Sequence, residues 1–385
     1  MTKSLAPFAR KKWNRHFFIL LLFLLPQYFF AQGTMVFFGS FNRDVSDEGI
    51  YVYELDTTNG TLTKISSVGN IVNPSYITLS PDGAYLYACT ESKTPGGGSV
   101  TSFRYDNAKK MLTWINSRSS AGENPVYATT DKSGRWLIDA NYTEGSVSVY
   151  PISADGMLEQ IVQNIQFEGS SINASRQERS HLHAAVFSPD GEFIFLPDLG
   201  SDKIRCYAFN AAKKEPLQIS NYAFTRTFPG SGPRHFTFHP NRKFAYCIEE
   251  LSGMVSSYKY ENGLLDSIQR IAAHPNNIVS GFESSDVHIS PDGKFLYASN
   301  RGAENNIAIF SIANDGTLST AGYQSTFGNH ARVFAMDESG KFLIVTHVTS
   351  GNVIVFRRNF ATGQLTKVGK EVFIPNVSCV QVKRY

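Results

Sequence analysis

A pair of strands joined by a tight turn recurs along this chain of 385 residues and constrains its fold more than any other feature. Four copies are plain: SYITLSPDGAYLYACTE (75–91), HAAVFSPDGEFIFLPDL (183–199), RHFTFHPNRKFAYCIEE (234–250) and SDVHISPDGKFLYASNR (285–301). Two weaker copies occupy residues 126–142 and 332–348. The turns begin at Pro81, Lys132, Pro189, Pro240, Pro291 and Glu338, which lie 51, 57, 51, 51 and 47 residues apart. A fixed period of this length is typical of repeat architectures.

Each repeat predicts four antiparallel strands. Apolar residues alternate before the turn, as Phe236 and Phe238 do, which indicates a strand with one buried face. The run after the turn, such as FLYAS (295–299), is apolar on both faces, so we expect neighbouring sheets to cover it. Two more strands follow in each repeat. Between the turns at Lys132 and Pro189, the outermost strand is predicted at GMLEQIV (156–162). Four strands at this period are typical of a propeller blade.

The two ends of the chain determine the number of blades. Residues 34–70 hold three strands only, and VSCVQVK (377–383) supplies the missing one. We expect this C-terminal strand to join blade 1 and close the ring, because closure removes exposed sheet edges. The predicted fold is all-β: a seven-bladed β-propeller of four-stranded antiparallel blades, forming one domain over residues 34–385.

Residues 1–31 are predicted to be a secretory signal peptide. Basic residues precede the apolar run FFILLLFLL (17–25), and the small residue Ala31 marks the expected cleavage site. The run has nine residues, fewer than the roughly 20 that a spanning helix needs. A membrane anchor is the alternative, because Phe29 and Phe30 extend the apolar stretch. We therefore expect a periplasmic or secreted protein that contacts the membrane only transiently, through its signal peptide.

Charge and cysteine content exclude other classes of protein. The net charge is +3, but the first 31 residues carry five cationic side chains and no acidic one, so the rest is slightly acidic. We expect no nucleic-acid binding, which needs a basic surface. The four cysteines lie in scattered apolar runs without a CxxC motif, so buried free thiols are favoured over disulfides. None of these features determines the oligomeric state.

Charged residues recur at equivalent positions on one predicted rim, opposite the turns. Six residues before the turns stand Ser75, Val126, His183, Arg234, Ser285 and Arg332, and ten after them stand Glu91, Tyr142, Leu199, Glu250, Arg301 and Val348. Innermost propeller strands face a central funnel, so we interpret this rim as a ligand site. A solvated rim with a few ion pairs is the alternative. The long insertion 165–182 enters at the same rim, and its Arg176 and Gln177 are candidates to cover the funnel, a mobile surface loop being the alternative.

These motifs resemble the seven-bladed propeller lactonases, a family that includes 6-phosphogluconolactonases and carboxymuconate-lactonising enzymes. The resemblance covers about residues 34–385 and rests on R-Q-x-x-S-H-x-H (176–183), D-L-G (198–200), G-P-R-H (232–235), E-L (250–251) and S-P-D-G-K-F-L-Y-A-S-N-R-G (290–302). It implies a catalytic site of His183, Arg234, Glu250 and Arg301. We add as substrate-binding candidates Arg176, His181, His235, Asp286 and Arg332.

The chain also departs from the family pattern. Glu249 stands where the family usually has Asn, and Asp286 stands where it usually has Glu. The segment Asn329-His330-Ala331 replaces the usual lead-in to Arg332. These differences affect the expected substrate more than the expected fold.

The resemblance implies a 6-phosphogluconolactonase-like hydrolase acting on a small anionic sugar lactone or carboxylate. Histidine titrates near neutral pH and can activate water. Arginine binds anionic oxygens and can stabilise an oxyanion. His183 and Glu250 are both candidate bases, and an orienting role toward an arginine is the alternative for Glu250.

Two other functions stay open: a muconate-type lactonising cyclase or isomerase, and a non-enzymatic ligand-binding propeller. Export from the cytoplasm favours the ligand-binding propeller, or a lactonase whose substrate is an unphosphorylated lactone. His181 and His183 form a weak metal motif without a clear third ligand, so no metal is expected. The sequence contains no G-x-S-x-G, P-loop or dinucleotide-binding motif, and we expect neither a serine nucleophile nor a cofactor.

Overall fold

The structure, a computed structural model, describes residues 1–9, 33–42, 44, 46–92, 94 and 97–385. Residues Gly33–Tyr385 form one compact unit. Residues 1–9 have no regular secondary structure. The apolar run and cleavage site of the predicted signal peptide lie outside the described residues. No helix among the described residues is long and apolar enough to cross a membrane.

Seven four-stranded antiparallel sheets make up the unit Gly33–Tyr385. They contain 28 strands, and the described residues form no helix. The predicted seven-bladed β-propeller is therefore confirmed. The second strand of most blades is buried at every position, as in Phe244–Glu249 and Phe295–Asn300, because both of its faces pack against neighbouring blades. All four cysteines are buried free thiols, as predicted.

The strands are numbered in chain order, and blades 1 to 7 follow the chain. The innermost strands of blades 1 to 7 are β28 (Val377–Arg384), β4 (Pro74–Leu79), β8 (Pro125–Thr130), β12 (Val186–Phe187), β16 (Pro233–Phe238), β20 (Ser284–Ile289) and β24 (Ala331–Met336). The second strands are β1 (Thr34–Ser40), β5 (Tyr85–Thr90), β9 (Trp136–Asn141), β13 (Phe193–Asp198), β17 (Phe244–Glu249), β21 (Phe295–Asn300) and β25 (Phe342–His347). The third strands are β2 (Ile50–Leu55), β6 (Ser99–Asp106), β10 (Ser146–Pro151), β14 (Lys203–Phe209), β18 (Met254–Glu261), β22 (Asn306–Ile312) and β26 (Asn352–Arg358). The outermost strands are β3 (Leu62–Val68), β7 (Met111–Ser119), β11 (Gln163–Gln166), β15 (Leu217–Arg226), β19 (Leu264–Ala272), β23 (Leu318–Ser325) and β27 (Leu365–Phe373).

The ring is closed by the C-terminal strand, as predicted. β28 pairs antiparallel with β1 and becomes the innermost strand of blade 1, with Val380 opposite Phe38. Val377, Cys379 and Val380 are buried there. The first and last strands of the propeller thus share one sheet.

Two strands of blades 3 and 4 differ from the prediction. The prediction of an outermost strand at 156–162 is wrong: β11 begins only at Gln163, because a turn at Gly156 bends Leu158 back to pair with Ile152. The innermost strand of blade 4 is reduced to Val186–Phe187. The long insertion leads directly into this strand. Only one isolated bridge, between Leu182 and Asp198, comes before the pairing of β12 with β13.

A shift in strand register occurs near the start of every innermost strand, at the end of the ring opposite the turns, which we call the mouth. Ser75, Val126, Arg234 and Ser378 are each the extra residue of a β-bulge. Equivalent shifts fall after Leu182, Ser284 and Ala331. Bulges redirect side chains and are frequent beside functional sites. Here they occur at the position, six residues before the turn, where the charged residues recur.

Candidate functional site

Glu250 lies at the mouth, directly after β17, and three arginines surround it. Its Oε2 accepts a hydrogen bond from Nε of Arg234 at 2.9 Å and pairs with Nη2 of Arg301 at 3.0 Å. Its Oε1 accepts a hydrogen bond from Nη2 of Arg176 at 2.5 Å. Arg234 is the bulged residue of β16, and Arg301 directly follows β21. Four predicted site residues therefore meet at one carboxylate.

Burial and charge together fix the ionisation of this cluster. Burial alone would raise the pKa of Glu250, but Arg301, Arg234 and Arg176 outweigh it and lower the pKa to about 2. Burial, with Arg301 nearby, lowers the pKa of Arg234 to about 9. Glu250 is thus an anion and Arg234 a cation at neutral pH. A carboxylate this acidic is a poor proton acceptor, so the geometry favours an orienting role for Glu250 over the role of base.

The insertion 165–182 folds onto the mouth, as its position in the sequence suggested. Gln177 is fully buried and its Nε2 donates to Oδ1 of Asp202 at 2.8 Å and to the carbonyl of Leu199 at 2.9 Å. These bonds hold the neighbouring Arg176, whose Nη2 also donates to the hydroxyl of Tyr142 at 3.3 Å. Arg176 is the most exposed cation of the cluster and closes it from the solvent side.

His183 is buried at the mouth, and no described residue forms a hydrogen bond with its Nδ1. Its ring lies edge-on to Tyr142, with centroids 5.4 Å apart, and to His235, with centroids 5.3 Å apart. Burial and the cations of Arg234 and Arg332 lower the pKa of His183 well below its ordinary value. His183 is therefore neutral, and its Nδ1 is buried without a hydrogen-bond partner among the described residues.

His181 has a different environment from His183. It stacks on Tyr142 with centroids 4.5 Å apart, and its Nδ1 bonds the carbonyl of Tyr142 at 2.9 Å. Its Nε2 lies 3.2 Å from Glu178. Both nitrogens of His181 thus have partners within the protein, and its ring positions that of Tyr142. Among the described residues, no group of three or more His, Cys, Asp or Glu has the arrangement of a metal site.

Asp286 on β20 holds a histidine on each side. Its Oδ1 lies 2.7 Å from Nδ1 of His235, and its Oδ2 lies 3.0 Å from Nε2 of His288. The backbone N–H groups of Val287 and Phe334 also donate to this carboxylate, each at 3.0 Å. Burial, together with Arg234, lowers the pKa of His235 to about 4, although Asp286 opposes this shift. His235 and Asp286, two of the predicted substrate-binding residues, thus form a hydrogen-bonded group of three with His288.

Arg332 and His330 complete the mouth on the side of blade 7. The guanidinium of Arg332 lies 5.5 Å from the ring centre of Phe41, and no salt bridge to it occurs among the described residues. Burial and the cations of Arg301 and Arg332 lower the pKa of His330 to about 4. No described residue bonds Nδ1 of His330. This side of the mouth therefore offers a cation without a counter-ion and a neutral imidazole.

Three residues of this site were not predicted as site residues. Tyr142 stood among the aligned rim positions, and His330 stood in the departure from the family pattern. His288 follows Asp286 by two residues on one strand, so strand periodicity places both side chains on one face. A cavity of about 840 Å³ lies at the other end of the ring from the mouth, beside the turn residues Lys132 and Gly191 of blades 3 and 4.

This chain is a seven-bladed propeller whose mouth gathers arginines, one carboxylate and neutral histidines, an arrangement suited to an anionic ligand. The chain belongs to the family described as Lactonase, 7-bladed beta-propeller, which matches residues 35–382. The predicted family is therefore confirmed.

Similar proteins cover nearly the whole propeller. A Formosa agariphila protein named 6-phosphogluconolactonase is 40% identical over 352 residues, which cover 91% of this chain and 99% of the relative. A Bacillus subtilis protein of the same name is 32% identical over 337 residues, covering 87% of this chain and 94% of the relative. The structure of the periplasmic gluconolactonase of Pseudomonas aeruginosa has a TM-score of 0.86 at 33% identity, covering 91% of this chain and 99% of that one. These relatives confirm the prediction of a 6-phosphogluconolactonase-like lactone hydrolase.

Proposed function

We propose that the protein is an exported hydrolase that opens an anionic sugar-acid lactone by activating water and stabilising the oxyanion with arginines. The observation that carries this proposal is the mouth itself, where Arg176, Arg234 and Arg301 share the single carboxylate of Glu250. The cluster has a surplus of positive charge, to which Arg332 adds. Such a surplus favours a substrate with a carboxylate or phosphate group.

The roles of the catalytic residues follow from their ionisation. His183 is neutral and lies beside Arg234 and Arg332 at the mouth, and we assign to its imidazole the role of accepting a proton from the attacking water. Glu250 orients Arg234 and Arg301. Their guanidinium groups stabilise the oxyanion that forms when water attacks the lactone carbonyl.

The remaining cations and His235 hold the substrate. Arg176 enters from the insertion and Arg332 from blade 7, so both lie at the edge of the cluster. We assign to them the anionic group of the substrate. Asp286 holds His235 beside His183, and His181 supports the aromatic wall formed by Tyr142.

The activity is tested by titrating acid release from glucono-δ-lactone, its 6-phospho form and a muconolactone. We expect hydrolysis of at least one of the sugar lactones. Arg301→Ala is expected to lower kcat/KM by about 10²-fold, since it removes an oxyanion donor. Arg135→Ala is the matched control, because Arg135 is exposed on a turn far from the mouth. Unchanged turnover in Arg301→Ala would contradict the mechanism, and turnover of the muconolactone alone would favour the lactonising reaction.

Export is supported by the basic and apolar N-terminal segment and by the likeness to a periplasmic gluconolactonase. The expected result is a chain recovered from the periplasm or medium that begins near Gln32. N-terminal sequencing of the fractionated protein checks this. A chain that keeps Met1 and stays with the membrane fraction would instead establish an anchor.

A further inference from the structure

Asp286 binds two histidines that lie at different depths in the ring. His235 follows the bulge of β16 at the mouth, beside the ring of His183. His288 lies further along β20, toward the turns, and 41% of its side chain is exposed although β20 is an innermost strand. The carboxylate between them accepts hydrogen bonds from both rings and from two backbone N–H groups. The three side chains therefore connect the mouth to solvent in the centre of the ring.

We propose that Asp286 couples His235 to His288, so that a proton taken up by His235 at the mouth is matched by a proton released from His288 into the central channel. This inference rests on the proposed lactone hydrolysis. It gives His235, Asp286 and His288 the role of a proton relay, and none of them needs to touch the reacting carbonyl.

The chemistry of hydrolysis creates a need for such a relay. A bond forms between the water oxygen and the acyl carbon, and the ring C–O bond breaks. One proton of the water ends on the alkoxide oxygen, and the other is lost when the product acid ionises, because a carboxylic acid is deprotonated near neutral pH. Each turnover therefore leaves one proton to be removed from a mouth that is lined by arginines.

The arginines make the mouth a poor route for that proton. Arg234 and Arg332 disfavour a positive charge on His183. The rings of His183 and His235 lie edge-to-face with centroids 5.3 Å apart, so that one bridging water would carry the proton between them. His235 differs from His183 in having a carboxylate partner, which stabilises its charged form.

One carboxylate cannot stabilise two cationic imidazoles equally well, so their titrations are coupled. Burial disfavours the charged form of His288, but the negative charge of Asp286 outweighs the effect of burial and raises the pKa of His288. When His235 gains a proton, His288 becomes the less favoured cation and releases its own proton to the channel. Transfer of a proton from His235 through the carboxylate of Asp286 to His288 then restores the starting state for the next turnover. The other titratable groups that face this pair from the neighbouring innermost strands are Tyr76, Tyr127, His183, Arg234, Arg332 and Cys379. Asp286 is the carboxylate that bonds both His235 and His288.

The first test is the kinetics of His288→Gln on glucono-δ-lactone and its 6-phospho form, in weak buffer from about pH 5 to pH 9. We expect kcat to fall about tenfold near neutral pH with KM almost unchanged, and added imidazole to restore it by carrying the proton. His239→Ser is the matched control. It replaces a turn histidine of blade 5 with the serine that Ser80, Ser188 and Ser290 provide in other blades. A His288→Gln enzyme with the wild-type kcat and no response to imidazole would overturn the relay.

The second test does not depend on turnover. NMR titration of the histidine rings in the full chain should show His288 titrating above the ordinary pKa of a histidine, and Asp286→Asn should lower the pKa of His288. Unchanged His288 titration in Asp286→Asn would also overturn the relay. Failure of the wild-type protein to hydrolyse any sugar lactone would refute the proposed function instead, and this titration would still determine whether Asp286 couples the two histidines.

Discussion

Glu250 is the residue on which the charged cluster depends. Its carboxylate is buried and compensates three guanidinium groups, of which Arg234 is the most deeply buried. We expect Glu250→Gln to lower the free energy of unfolding by about 3 kcal/mol, because removing one member of a buried ion pair leaves the others uncompensated. Urea denaturation measures this. Glu261→Gln is the control, since Glu261 makes only an exposed pair with Lys259; equal losses in both variants would contradict the expectation.

The same carboxylate predicts a pH dependence of stability. The pKa of Glu250 is about 2 in the folded protein and that of an ordinary glutamate is 4.5, so the unfolded chain takes up the proton first as the pH falls. The contribution of Glu250 is therefore complete above pH 4.5 and is lost as the pH falls toward 2. Denaturation of the wild type and Glu250→Gln at a series of acidic pH values should show their difference shrinking over this range. A difference that stays constant would refute the assignment.

Individual site residues could be predicted when the repeat aligned them, and not otherwise. His183, Arg234, Glu250 and Arg301 occupy equivalent rim positions, where the aligned blades also carry Ser, Val, Leu or Tyr, so comparing the repeats identifies them. The partner of each residue depends on which way the side chain turns, and alignment carries no such information. The contact of His288 with Asp286 is therefore visible only in the structure.

At the scale of elements, the carboxylate of Asp202 connects the insertion 165–182 to the segment before β16. Asp202 accepts hydrogen bonds from Gln177 in the insertion and from Gly230, Ser231 and Gly232, which lead into β16. It thus ties together the two segments that carry Arg176 and Arg234.

We expect Asp202→Ala to raise KM about tenfold and leave the overall fold intact, because Arg176 loses its support while the ring does not depend on this loop. Faster hydrogen exchange of residues 165–182 should accompany the kinetic change. Asp155→Ala is the control, since Asp155 lies on an exposed turn. Wild-type exchange in Asp202→Ala would show that the insertion is held by other contacts.

The blades were predictable as elements because each repeats the same alternation and turn chemistry. Pro, Gly and alternating apolar residues are local signals, and they define most strands. β11 and β12 were predicted less well, since their limits depend on a bridge to Ile152 and on the entry of the insertion. The register shifts at the mouth carry no local signal at all: Ser75, Val126 and Arg234 are chemically unlike and share only their place in the ring.

For the whole molecule, closure of the ring depends on the last nine residues. β28 pairs with β1, and Ser378, the bulged residue, donates through Oγ to the carbonyl of Ser75 in blade 2 at 2.8 Å. The hydroxyl of Tyr385 donates to the carbonyl of Gly83 in the turn of blade 2 at 2.7 Å. The C-terminal segment therefore completes blade 1 and also connects it to blade 2.

A chain that ends at Asn376 should expose the edge of β1 and lose its cooperative melting, with Tm lowered by about 10 °C or more. A peptide of residues 377–385 added in trans should raise Tm as its concentration increases, because it binds the folded ring and not the unfolded chain. Thermal denaturation followed by circular dichroism measures both effects. The same peptide with Val380→Asp places a charge at a buried position and should fail to rescue. Full stability in the shortened chain, or equal rescue by both peptides, would show that closure by β28 does not hold the ring together.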